Sequence, residues 1–374
     1  MKFKTGSKRL TRAVVVGLLG VCVLSVSAFA AWGSTSGYGK YKDAVTKVFT
    51  ETDNVTIDED CYLIYDGDKA YRNITQWKID GNDYTRYDKD SGENSIESYT
   101  SVIGKTQINM STDSKYYYQY EVDPAENANP LNLGDYSVKL LNFGKLCADT
   151  VLGDLKNNVV LADEKDGMRT YSLDVTADQM PALVTSGLDL LMAGNSSNGG
   201  YVTYDDSDKS YAAYCANVKG KPLPDDYFTA LDSGEGTDAM WDAYNEGMEE
   251  MYEYYDAFLD GKGENAVISV KEDGSYAIYD DYADYAMAEC YGTNDLNAYL
   301  GTNAVLKNVS GSFTLDSRDH LVANDLTVAF EQTDKSGSSH EVKLVVDLKF
   351  SDYETTKVAP FDVGDRTLYV DQED

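Results

Sequence analysis

Apolar and polar positions change period several times along this 374-residue chain, and each change marks an element. From Tyr38 to Thr50, Tyr41, Ala44, Val45, Val48 and Phe49 recur at helical spacing, which predicts an amphipathic helix. From Val55 to Val122 the period falls to two, in short runs separated by DGDK, DGND and DKDSGEN. Asp-Gly between alternating runs is a hairpin signal, so this stretch predicts a β-meander. Within it, KYYYQYEV (115–122) puts Tyr116, Tyr118 and Tyr120 on one face and Tyr117 and Gln119 on the other.

A second helical stripe runs through Leu140, Phe143, Cys147, Val151 and Leu155. The strand RTYSLDVT follows, and then Met180, Leu183, Val184, Gly187, Leu188 and Leu191 at the spacing of a helix packed on a core. Thr176 or Asp178 would cap that helix, and Pro181 would lie in its first turn, where a missing N–H costs least. Residues of about 219–264 read as a helical insertion, with Met240, Tyr244, Met248, Met251, Tyr255 and Phe258 on one helix face. In the C-terminal third, SGSFTLD, DLTVAF and HEVKLVVDLKF predict three strands joined at SRDH and DKSGSS. In the last of them Val342, Leu344, Val346, Leu348 and Phe350 point one way, and Val345 breaks the alternation. Pro360 is expected to end the pairing. The fold class is therefore α+β, an antiparallel sheet packed on helices, in a single domain over 38–370.

The first 30 residues stand apart. Lys2, Lys4, Lys8, Arg9 and Arg12 precede the apolar run AVVVGLLGVCVLSVSAFA, and Ala28-Phe29-Ala30 has the small-x-small pattern of a signal-peptidase site. Residues 1–30 thus read as an export signal of bacterial type, or as an uncleaved anchor, since roughly 20 apolar residues cross a bilayer. A Gly/Ser-rich spacer at 31–37 follows. Cys22 follows Val21, where lipoprotein processing needs a small residue, so no lipid anchor is expected. The reading is extracytoplasmic, secreted or held at the cytoplasmic membrane by this segment alone.

The formal net charge of −32 removes nucleic acid as a partner, because phosphate binding needs a basic footprint, and it disfavours an anionic membrane surface. Four cysteines, Cys61, Cys147, Cys215 and Cys290, lie beyond the signal. They show no CxxC spacing, so neither a metal nor a redox site is expected, and no cofactor is implied. Four cysteines permit three pairings. Of these, Cys215 with Cys290 is the candidate disulfide, both lying in Tyr/Ala-rich stretches. Catalytic signatures are missing: HExxH, GxSxG, a P-loop and a GxGxxG after a strand do not occur. The two histidines, His320 and His340, fall at turns and read as solvated. No enzymatic activity is expected.

The order of elements, SLDVTADQMPALVTSGLDLL, and the closing strand with SDY and Pro360 resemble the LolA/LppX superfamily of envelope proteins, over about a third of the chain. The insertion and the absence of a lipobox depart from its lipoprotein members. The resemblance implies a curved antiparallel sheet, a half-barrel, wrapped around helices and enclosing an apolar cavity. It implies a non-catalytic envelope protein binding a lipid or another apolar or amphipathic ligand. Candidate contacts are Tyr116, Tyr118, Tyr120, Leu183, Leu188, Met248 and Met251. The strand tyrosines would suit a lipid, a glycan or a peptide, or simply an amphipathic strand. The alternative is a structural or regulatory envelope protein acting through protein contacts.

Overall fold

The computed structural model describes residues 37–90, 95–112, 114–123, 131, 158–180, 201–232, 237–292, 297–301, 303–334 and 336–369. The 1–30 signal or anchor, the Leu140 to Leu155 stripe with Cys147, and the stripe carrying Leu183 and Leu188 lie outside them. The fold is α+β, and the chain divides into two compact units. One is made of the residues up to Ser186 together with Val305–Asp374. The other is Gly187–Ala304, which contains the 219–264 segment.

The first unit begins with α1 (Gly37–Thr50), the helix its apolar spacing predicts. It continues into strands β1 (Asn54–Tyr65), β2 (Asp68–Asp80), β3 (Asp83–Asp90), β4 (Glu97–Ile103), β5 (Thr106–Ser111) and β6 (Tyr116–Glu121). Each pairs antiparallel with the next, as the alternation predicts. The β1–β2 turn uses Asp66 (φ 51) and Gly67 (φ 91). Positive φ at both central residues matches the right-handed twist of the flanking strands. Strands β7 (Val160–Lys165) and β8 (Met168–Thr176) form a further hairpin. The second unit then intervenes, with its strands β9, β10 and β11, and the sheet resumes at β12 (Val305–Leu315), β13 (Leu321–Thr333) and β14 (Ser339–Ser351).

A twelve-stranded sheet results, in the order β15-β6-β5-β4-β3-β2-β1-β14-β13-β12-β8-β7. The short β15 (Thr367–Leu368) joins β6 in parallel, and the other pairings are antiparallel. Two of the antiparallel pairings are long-range: β1 joins β14, with Thr56 opposite Ser351, and β8 joins β12. β14 ends at Ser351, ahead of Pro360, because Asp352 (φ 53) and Glu354 (φ 63) turn the chain and Thr355 and Thr356 donate back to the Asp352 carbonyl. Val345, the break in the alternation, is also buried.

One face of the sheet packs on α1. Tyr38, Tyr41, Ala44, Val45 and Val48 form a core with Val55, Ile57, Trp77, Ile79, Leu173, Phe313, Val346, Leu348 and Phe350. Lys40 and Arg169 both pair with Asp319 in the β12–β13 turn, which ties the N-terminal part of α1 to the sheet.

The second unit has a three-stranded sheet, β9 (Tyr201–Tyr204), β10 (Val267–Val270) and β11 (Tyr276–Tyr279), with β10 central and buried throughout. Its helices are α2 (Ser207–Asn217), α3 (Tyr227–Asp232), α4 (Asp238–Asp256), α5 (Tyr282–Glu289) and α6 (Asn297–Leu300). Asp206, Thr237 and Asp281 cap α2, α4 and α5 by accepting backbone N–H bonds. Val202, Tyr211, Tyr214, Cys215, Met251, Tyr255, Ile268 and Val270 form its core.

The hairpin turns of the first unit meet at His340. Its Nδ1 lies 2.7 Å from Asp66 Oδ2 in the β1–β2 turn and its Nε2 lies 3.4 Å from Asp334 Oδ2 beyond β13. The ring stacks on Tyr65, with centroids 5.1 Å apart. The sequence reads this histidine as solvated; the β1–β14 register turns it into a clamp between two hairpins. The Asp66 hydrogen bond, assisted by Asp334, raises the His340 pKa above its ordinary 6.5. A group bound more tightly to its proton when folded stabilises fully below 6.5 and loses that contribution as pH rises through the folded value. We expect His340→Asn to lower the melting temperature in acid, below the ordinary histidine value, and this deficit to shrink as pH rises through the raised folded value. A deficit that does not change with pH would contradict the clamp.

Candidate functional site: a buried polar cluster on the helix-covered face

Alternation along β1 points Val55, Ile57, Glu59, Cys61 and Leu63 to the face that α1 covers. Four of these suit an interior. The third, Glu59, is a carboxyl only 4% exposed. Register then lays residues across the same face in rows. Glu59 lies opposite Thr75, and Thr75 opposite Asp88. Beside that row run Ile57, Trp77, Arg86, Thr100, Asn109 and Tyr118, and beside that Val55, Ile79, Tyr84, Val102, Gln107 and Tyr120. The face therefore passes from apolar under α1 to polar over β2 and β3, and to tyrosine at β6.

The polar part is a set of neighbouring hydrogen-bonded groups. The Cys61 thiol donates to Glu59 Oε1 at 3.0 Å. The Thr75 hydroxyl donates to Asp88 Oδ1 at 2.9 Å, with Asn73 Oδ1 at 3.0 Å. Arg86 pairs with Asp88 at 2.6 Å and lies 5.0 Å from the Trp77 ring centre. Tyr71 donates to Asp90 Oδ1 at 2.7 Å, and burial raises its pKa. Burial pushes the Glu59 carboxyl up to about 7, against the opposing pull of the Cys61 hydrogen bond and the Arg86 charge. Arg86 Nε is buried with no hydrogen-bond partner. A carboxyl that changes charge near neutrality and an unmet guanidinium donor on one face mark a site able to receive a polar group.

Among the described residues, no group of three or more His, Cys, Asp or Glu side chains is placed to hold a metal ion, and no helix is long and apolar enough to cross a membrane.

The residues expected from the sequence fall in several places. Tyr116, Tyr118 and Tyr120 share the face of the polar cluster, at the far edge of the sheet. Met251 is fully buried in the second unit and Met248 packs against the same core. Cys215 and Cys290 stand as thiols, without a bridge between them. Cys215 is buried near the end of α2, and Cys290 follows the last turn of α5. No motif or spacing in the sequence singles out Arg86. Glu59 does carry a signal, an acid at the inward position of an otherwise apolar alternation. No family model matches the chain, and no curated protein matches it.

Proposed function

We propose that the protein is a non-catalytic, exported protein of the cell envelope that binds an apolar or amphipathic ligand against the helix-covered face of its larger sheet. In this reading the sheet curls as a half-barrel, as in the LolA/LppX-like carriers that parts of the sequence resemble. The observation that carries the proposal is the presence, on one face beside apolar rows, of the buried Glu59 carboxyl and the Arg86 Nε that has no hydrogen-bond partner. An amphipathic molecule would place its polar group on Arg86 and its apolar body along Trp77, Tyr84 and Val102. Leu183 remains a candidate contact for that body.

Native mass spectrometry of the chain from residue 31 onward, purified without detergent from an exporting bacterial host, tests this. A discrete extra mass is expected that organic extraction removes, and Arg86→Gln should reduce its occupancy. A bare chain mass with no shift on adding phospholipid or fatty acid would overturn the proposal. A second reading, contact with another envelope protein, is favoured by β7. This edge strand is exposed at every position and carries Val160 and Leu161.

A further inference from the structure

The tyrosine strip at the other edge of the sheet has a geometry of its own. β15 pairs in parallel with β6, Thr367 opposite Tyr116 and Leu368 opposite Tyr117, and the Tyr369 N–H donates to the Tyr117 carbonyl at 2.8 Å. That register carries Tyr369 to the face of Tyr116 and Tyr118. The Tyr118 and Tyr120 rings lie 6.5 Å apart and within 4° of parallel. Tyr369 lies 5.0 Å from Tyr118 and 5.8 Å from Tyr116. Four rings thus form a continuous strip over two edge strands, in the order Tyr116, Tyr369, Tyr118 and Tyr120, and two of them, Tyr120 and Tyr369, are 49% and 45% exposed.

The flanking strand supplies amides. Asn109 lies opposite Tyr118 and Gln107 opposite Tyr120. Gln107 Nε2 donates to Asn109 Oδ1 at 3.1 Å. An amide offers two donors and two acceptor lone pairs, so most of the capacity of both side chains is left for a ligand.

We propose that this strip binds an uncharged glycan chain of β-linked, equatorially substituted pyranoses. Such sugars present flat C–H faces, which stack on aromatic rings, and a rim of hydroxyls, which suits side-chain amides and tyrosine hydroxyls. Near-parallel neighbouring rings fit successive sugars of one extended chain. Tyrosine provides this contact with few rotatable bonds to fix. The charge of −32 selects against polyanionic glycans and anionic lipid surfaces. Aliphatic side chains, which a lipid tail would favour, are missing from the strip itself. The inference does not rest on the carrier reading, since the strip lies at the sheet edge and is read by a different experiment.

Affinity electrophoresis of the full exported chain in gels containing hydroxyethyl cellulose or glycol chitin, followed by calorimetry with cellohexaose and chitohexaose, is the test. At least one glycan should retard the protein and bind. Tyr120→Ala and Tyr118→Ala should each weaken binding about tenfold or more, and Tyr118→Phe should keep most of it. Tyr252→Ala, which alters an exposed tyrosine of α4, should leave it unchanged. Tyr120 is exposed enough that its truncation should not disturb folding, and unchanged circular dichroism checks this. Failure of every one of these glycans to bind would overturn the proposal. So would binding that survives Tyr120→Ala and Tyr118→Ala, or loss in those variants of binding to uncharged phosphatidylcholine vesicles with no glycan binding at all.

Discussion

Glu59→Gln should make the protein more stable above neutrality, by up to about 3 kcal/mol, and leave it unchanged below about pH 4.5. The carboxyl is held on the inner face of β1, where burial raises its pKa from 4.5 to about 7. Between those values the folded chain keeps a proton that the unfolded chain has released. Its contribution is therefore complete below 4.5 and is lost as pH rises through about 7. Above that, the native state carries a buried charge, with one thiol donor and a guanidinium two strands away to offset it. Glutamine has the same shape and no such charge. Urea unfolding of both proteins across the pH range, followed by intrinsic fluorescence, gives the difference curve. A difference that does not vary with pH would show that Glu59 does not titrate where its burial places it. Cys61→Ala removes the donor that holds the carboxylate form, and should shift the midpoint of the curve upward.

Gly311→Ala should destabilise the first unit by about 3 kcal/mol. Gly311 lies in β12 between Leu173 of β8 and Leu326 of β13. A Cβ built there sits 2.5 Å from the Asp325 carbonyl oxygen and 3.4 Å from the Leu326 Cα. These are backbone atoms of a paired strand, so they cannot rotate away as a side-chain tip would. The strands must part, and the ladder on one or both sides weakens. Gly263→Ala is the matched control, because a Cβ there meets nothing within 4 Å. It should stay within about half a kcal/mol of wild type. A Gly311→Ala protein that unfolds at the wild-type denaturant concentration would refute this account.

Much of this architecture is written locally. The α1 stripe of Tyr41, Ala44, Val45 and Val48, the Asp66-Gly67 turn and the alternation of β14 each lie within a dozen residues, and each gave its element. So did the shared face of Tyr116, Tyr118 and Tyr120, which needs only the period of two. What stayed hidden depends on register between distant strands. His340 meets Asp66 only because Tyr65 lies opposite Val342, and no spacing in the sequence encodes that. Tyr369 joins the tyrosine strip through a two-residue parallel strand too short to leave a pattern. Glu59 was masked differently, as one acid among 64 acidic residues; only its inward position distinguishes it. Arg86 becomes informative only when the partners of its guanidinium can be counted.

The pairing of β1 with β14 also has a kinetic side. Strands β1 to β6 are made early in the chain and need only their own hairpins, whereas the far side of β1 stays an open ladder until residues 339–351 exist and arrive. Loop-closure entropy must be met before that contact returns anything, which makes such a step slow. Throughout the wait, β1 offers unpaired N–H and C=O groups along the strand that carries Val55, Ile57 and Leu63, an invitation to strand exchange with a second nascent chain. The three consecutive acids of β1, Asp58, Glu59 and Asp60, put like charges on both copies of any such mispaired dimer, so the acidity of this strand doubles as a guard against aggregation during folding.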